Sequence, residues 1–262
     1  MFIRLSLVFG AVFVSAFVFW MPKLLPWFFL LWLSFSAAIL FGGVVFLFVC
    51  SLFFYGKKKL EKDNRFCRFL SYYTMDAILT LFRFRIRGEG LEKLPGEPFV
   101  LVCNHLSRFD PMVTFVLMKG HRLGFISKKE NMKIPIVGPI TSRIGFLPLD
   151  RENPLRAMRT VHLGAKLIRE KGFTMGIYPE GTRSLDGKLL PFKPGAFVMA
   201  KKAEVPVVVC TVKGTLDYKK RWPLCSTEAS FSVIQVIPAK EVREEKSEAL
   251  AEKCYQMIQE AM

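Results

Sequence analysis

Phe99-Val100-Leu101-Val102-Cys103-Asn104-His105-Leu106-Ser107-Arg108-Phe109-Asp110-Pro111 is the stretch on which the reading of the fold turns. Five apolar residues without polar alternation describe a strand covered on both faces, as in the interior of a parallel sheet. The polar run that follows leads into Asp110 and Pro111, a pairing suited to a helix start, with Asp as N-cap and Pro in the first turn. Strand, loop and helix in that order place His105 at a strand end, where ligand and catalytic residues cluster in α/β sheets.

Working outward, Phe82-Arg83-Phe84-Arg85-Ile86-Arg87 alternates strictly between apolar and basic side chains, which predicts a half-buried strand ended by Gly88 and Gly90. Further strand-like runs fall at 99–103, 123–127, 144–149, 173–178, 205–212 and 230–237. Helical stretches lie between several of them, near 111–119, 154–171 and 195–203, and a final polar helix is predicted over 241–261. Strands alternating with helices predict an α/β domain with a mostly parallel sheet flanked by helices. Residues 58–80 carry Phe66, Phe69, Leu70, Tyr73 and Ala77 at helical spacing. That segment reads as an amphipathic helix, either lying on a bilayer surface or packed on the domain.

The N-terminal end differs in kind. From Leu5 to Tyr55 the only charged side chain is Lys23, with Pro22 and Pro26 beside it. A span needs about 20 apolar residues, and the prolines interrupt a continuous helix. The expectation is a two-helix hairpin, near 5–21 and 28–54, that either crosses the bilayer or enters one leaflet. The run continues too far for a signal-peptide core. Residues 1–56 are thus read as a membrane anchor and 57–262 as a separate folded domain. Arg4 before the first segment and Lys57, Lys58 and Lys59 after the second place both ends, and the domain, on the cytoplasmic face.

Net charge is +16, and all basic residues except Arg4 and Lys23 lie beyond the anchor, together with all 22 acidic ones. A basic domain beside a membrane favours anionic lipids and substrates, and no nucleic-acid-binding motif is present. The six cysteines are scattered without Cys-x-x-Cys or zinc-type spacing, so a reduced, structural role is expected, with no metal site.

For His105 and Asp110 two readings stand. Asp110 either caps the helix, or turns back onto His105, fixing one ring nitrogen and raising the basicity of the other. In the second case His105 suits general-base activation of an alcohol, with no Ser or Cys nucleophile. Tyr178-Pro179-Glu180-Gly181-Thr182-Arg183-Ser184 is either a polar turn or a cradle for a hydroxylated phosphate. In the cradle, Arg183 binds phosphate oxygens and Glu180 accepts from a hydroxyl. Lys128 and Lys129 follow one strand and Arg151 another, so each is either a solvated surface charge or a further phosphate contact.

Asn-His-x-Ser-x-x-Asp at 104–110, Gly145 to Arg151, Pro-Glu-Gly-Thr-Arg-Ser at 179–184, and the strand Val205-Pro206-Val207-Val208-Val209 occur in this order. Together they resemble the 1-acyl-glycerol-3-phosphate acyltransferase family, in its bacterial form with an N-terminal hairpin, over roughly residues 85–215. Val209 stands where a second proline is frequent in that family, and Leu106 where Gln is common. The resemblance implies transfer of an acyl group from acyl-CoA or acyl-carrier protein to the free hydroxyl of lysophosphatidate, giving phosphatidate. It implies His105 and Asp110 as catalytic residues and Lys128, Lys129, Arg151, Glu180, Gly181, Thr182 and Arg183 as substrate contacts, with no metal or other cofactor. Transfer to another acceptor (glycerol-3-phosphate, a different lysophospholipid or a lyso-aminolipid), hydrolysis, and a non-enzymatic lipid-binding scaffold are the alternatives.

Overall fold

The structure is a computed structural model that describes residues 6, 8, 10–12, 15, 25–55, 63–184 and 186–262. Its contacts divide the chain into two units, Met1–Lys57 and Lys58–Met262.

In the first unit, α1 (Leu25–Phe54) is a 30-residue helix with no charged side chain. Pro26 sits in its first turn, where the missing N–H costs no helical bond. Pro26–Phe54 contains an 18-residue window with a mean hydropathy of 2.6 and is long and apolar enough to cross a membrane. At 1.5 Å per residue the helix is about 45 Å long, more than a hydrocarbon core of about 30 Å requires. The other expected helix, near 5–21, falls largely outside the described residues.

The second unit begins with α2 (Arg65–Leu81), whose N-cap Asn64 accepts a hydrogen bond from the Cys67 N–H. The predicted helix thus starts later than expected, and residues 56–62 lie outside those described. Phe66, Phe69 and Tyr73 are exposed, whereas Cys67 and Leu70 are buried. Arg68 fixes the helix to the domain: it grips Asp63 at 2.8 and 2.7 Å and donates to the Leu123 and Ile144 carbonyls.

Seven strands follow: β1 (Phe84–Glu89), β2 (Val100–Cys103), β3 (Leu123–Lys128), β4 (Leu147–Leu149), β5 (Thr174–Ile177), β6 (Val207–Lys213) and β7 (Thr227–Ile237). They form one sheet in the order β1-β7-β6-β2-β5-β3-β4. Every neighbouring pair is parallel except β6 with β7. The sheet is therefore mostly parallel, with β2 at its centre in register with both Met175 and Val207 at Val100. All four β2 residues are buried, as the unbroken apolar run requires.

Helices α3 (Asp110–Leu117), α4 (Val137–Thr141), α5 (Pro154–Lys171), α6 (Gly195–Ala203), α7 (Tyr218–Arg221), α8 (Ala239–Glu244) and α9 (Ser247–Ala261) complete the unit. Val100 and Val102 share a core with Val161 and Ile168 of α5, Phe197 and Met199 of α6, and Leu250 and Ile258 of α9. The period-2 alternation sends Leu101 and Cys103 to the opposite face.

Several boundaries depart from the sequence reading. The first strand begins at Phe84, because Phe82 closes α2 and Arg83 takes a left-handed φ of 57° in the turn between. It continues through Gly88, which pairs with Phe231, and stops at Glu89, so Gly90, with a left-handed φ of 68°, ends it and Gly88 does not. The C-terminal helix is two helices, broken where Glu245 and Lys246 adopt extended backbone.

Candidate active site

His105 leaves the C-terminal end of β2, and Asn104 beside it locks that end to β6. Its side chain donates to the Val212 carbonyl at 2.9 Å and accepts from the Val212 N–H at 2.8 Å. Asn104 thus replaces a ladder pair just where β2 opens into the loop.

Asp110 does not act as the helix cap that its sequence position suggested. Its fully buried carboxylate turns back into the loop. Oδ2 accepts from the N–H groups of Leu106 at 2.6 Å and Ser107 at 2.7 Å, and lies 2.8 Å from His105 Nδ1. Oδ1 accepts from the hydroxyls of Ser107 and Thr215. A carboxylate offers only acceptors, so this contact fixes the hydrogen of His105 on Nδ1 and leaves the Nε2 lone pair free. Nε2 has no hydrogen-bond partner among the described residues. The imidazole stacks on the Tyr178 ring at 4.3 Å and 20°, and its side chain keeps 16% exposure. Geometry of this kind suits an oriented general base.

Thr215 could not be found by motif spacing, because it is 105 residues from Asp110. It is fully buried, after Gly214 at the end of β6. Gly214 has a φ of +77°, and a Cβ there would lie 2.1 Å from the Glu228 carbonyl oxygen. Only glycine turns the chain tightly enough to deliver Thr215 to Asp110.

The Glu180 turn follows β5, next to β2. Glu180 is 3% exposed, and its two oxygens accept from the N–H groups of His105 at 2.6 Å and Leu190 at 3.0 Å. Burial and two backbone donors make this residue, expected from the sequence to accept from a substrate hydroxyl, a tether between the His105 loop and the segment after the turn. Burial pushes its carboxyl up, opposed by those amides. The Ser184 N–H donates to the His105 carbonyl at 2.8 Å, closing the two loops on each other. Gly181 has a φ of +72°, and Thr182 and Arg183 project from the same turn into solvent.

The remaining expected cations differ in availability. Lys129 is held by Asp150 at 3.0 Å and Glu152 at 2.8 Å, and its ammonium is pushed up to about 12 by those bonds. Lys128 lies 3.5 Å from Glu130 and is half exposed. Arg151 is exposed beyond β4, three strands from β2. The structure therefore brings the 104–110 and 179–184 segments together and leaves Lys129 and Arg151 outside that junction. No group of His, Cys, Asp and Glu suited to a metal ion occurs among the described residues.

The acyltransferase family model matches residues 85–213. Among relatives, the chloroplastic 1-acyl-sn-glycerol-3-phosphate acyltransferase of Brassica napus is 42% identical, over 48% of this chain and 37% of its own length. The chloroplastic 1-acyl-sn-glycerol-3-phosphate acyltransferase of Arabidopsis thaliana is 36% identical, over 71% of this chain and 52% of its own. The chain thus spans about half or less of these relatives' lengths. The crystal structure of the 1-acyl-sn-glycerophosphate acyltransferase of Thermotoga maritima shares the fold, with a TM-score of 0.61 and 24% identity over 92% of this chain and 96% of that one. The matched segment runs from β1 through β6 and contains both facing loops, so residues 85–213 of the chain form an acyltransferase-family domain.

Proposed function

We propose that the protein transfers a fatty acyl group from an acyl thioester, acyl-CoA or acyl-carrier protein, to the free hydroxyl of 1-acyl-glycerol-3-phosphate. The observation that carries this reading is the buried Asp110 cage, which presents His105 with Nδ1 occupied and Nε2 free. Nε2 removes the acceptor hydroxyl proton as that oxygen bonds to the thioester carbonyl carbon. The tetrahedral oxyanion then collapses, the carbon–sulfur bond breaks, and the proton held by His105 passes to the departing thiolate. General-base help of this kind contributes roughly 10²–10⁴ in rate, and alignment contributes the rest. Arg183 and the Gly181–Thr182 backbone bind the phosphate, and Lys128, which meets one carboxylate where Lys129 meets two, is the more available of the paired lysines. The reaction needs no metal or other cofactor.

The apolar α1 supports membrane attachment, which keeps acceptor and product in the bilayer during turnover. We place the catalytic unit on the cytoplasmic face, from the lysines at 57–59. The test is acyl transfer to lysophosphatidate in vesicles or detergent by the full chain and by His105→Ala. Phosphatidate from the wild type and a loss of at least about a hundredfold in the variant are expected. Equal activity of the two proteins would remove His105 from the reaction. Free fatty acid in place of phosphatidate would indicate hydrolysis.

A further inference from the structure

Lys193 lies outside the motifs that identify the family, yet its side chain lies over the Gly181 turn. A Cβ built on Gly181 would come within 3.2 Å of Lys193 Nζ, 3.3 Å of Cε and 3.5 Å of Cδ. The lysine stem therefore occupies the space that glycine leaves, and its ammonium lies over the turn from which Thr182 and Arg183 project.

Several contacts hold it there. The Lys193 N–H donates to the Pro179 carbonyl at 2.9 Å, and the Leu190 N–H donates to Glu180 at 3.0 Å. The segment thus folds back across the turn. Pro194 follows Lys193, which restricts Lys193 to extended backbone. Phe192 before it is anchored edge-on to the Tyr255 ring at 5.5 Å and packs on the core. The lysine backbone is therefore fixed before any ligand arrives, which lowers the ordering cost of binding.

Its charge is also available. Lys128 and Lys129 face carboxylates at 2.8–3.5 Å. No carboxylate among the described residues lies within ion-pair distance of Lys193. An unneutralised ammonium over the glycine turn that carries Arg183, joined through Ser184 to the His105 loop, matches a phosphate monoester dianion.

We infer that Lys193 is a substrate-binding residue that, with Arg183, holds the phosphate of the acceptor. This rests on the proposed acyl transfer to a lysophospholipid phosphate. Lys193→Met keeps the stem over Gly181 and removes the charge, and Lys193→Arg restores a cation. The full chain and both variants are compared by initial rates against lysophosphatidate and against acyl-CoA, with thermal unfolding measured for each.

In Lys193→Met the lysophosphatidate KM should rise about tenfold, as expected for loss of a partly exposed charge-assisted contact. Its kcat should stay within about threefold and its donor KM should not change, while Lys193→Arg regains most of the lost affinity. An unchanged acceptor KM in a folded Lys193→Met protein would overturn the inference. So would a rise confined to the donor KM, which would assign Lys193 to the donor's phosphates. Absence of phosphatidate from the wild type would instead count against the proposed function.

Discussion

Replacing Asp110 by Asn isolates the charge of the buried carboxylate from its hydrogen bonds. The amide oxygen can take the place of Oδ2, still accepting from Leu106 N–H, Ser107 N–H and His105 Nδ1. The amide nitrogen then faces the Ser107 and Thr215 hydroxyls, which can turn to accept. The tautomer of His105 and the loop survive; the negative charge does not. The imidazolium formed during turnover loses its counter-charge, whose nearest oxygen lies 2.8 Å from Nδ1. Taking about 4 Å between charge centres and an effective dielectric of about 20, the interaction is about 4 kcal/mol. At about 1.4 kcal/mol per factor of ten, kcat should fall about a thousandfold. The lysophosphatidate KM should stay within about threefold, because no phosphate contact is touched. The assay is steady-state acyl transfer alongside thermal unfolding, and the transition should move by only a few degrees for a change of about 1 kcal/mol. A folded Asp110→Asn protein that keeps kcat within about threefold of wild type would refute the role of the Asp110 charge.

Thr215→Val removes one hydroxyl donor from Asp110 at nearly constant volume. Hydrogen bonds to charged groups contribute about 1.5–3 kcal/mol, so a lower unfolding temperature and a kcat reduced about tenfold are expected, with Thr215→Ser restoring both; wild-type values in Thr215→Val would remove it from the cage. Glu180→Gln turns an amide N–H₂ toward one of the two backbone donors, so a destabilisation of about 1–3 kcal/mol is expected in denaturant titration. Burial raises the Glu180 carboxyl above its ordinary value, so the folded state holds that proton more tightly than the unfolded chain. This group's contribution therefore falls as pH rises from the ordinary glutamate value through the raised one. The slope should be missing in Glu180→Gln, and equal slopes in the two proteins would contradict the assignment. Cys225 is exposed and the other five cysteines are buried, and burial pushes the thiols of Cys103 and Cys210 well up and that of Cys254 to about 12. Mass spectrometry after brief maleimide treatment should show one label per native chain and six after unfolding, and two fast-reacting sites would contradict that burial.

Elements defined by their own side-chain period were legible in the sequence. The unbroken apolar run at 99–103 is a strand buried on both faces, and the amphipathic pattern at 154–171 matches α5 to the residue. His105 and Asp110 stood out because they share one strand–loop–helix segment, five residues apart. Boundaries set by backbone conformation at single residues were not legible: the positive φ at Arg83 and the extended pair at Glu245 and Lys246 carry no periodic signal. Nor does periodicity say which way a polar side chain turns. Asp110 has the sequence of a helix cap, and its direction is decided by two amides of the preceding loop and by Thr215, delivered from the far end of β6. Glu180 reads as an open ligand until β5 packs beside β2 and brings the His105 N–H onto its carboxylate. Lys128, Lys129 and Lys193 are equivalent cations in sequence, and only the fold decides which carboxylates neutralise the first two. Local pattern determined the strands and helices because the neighbours that matter there are two to four residues away. The site required tertiary structure because its contacts join residues about 75 and 105 positions apart, and the register of β2, β5 and β6 sets their distances.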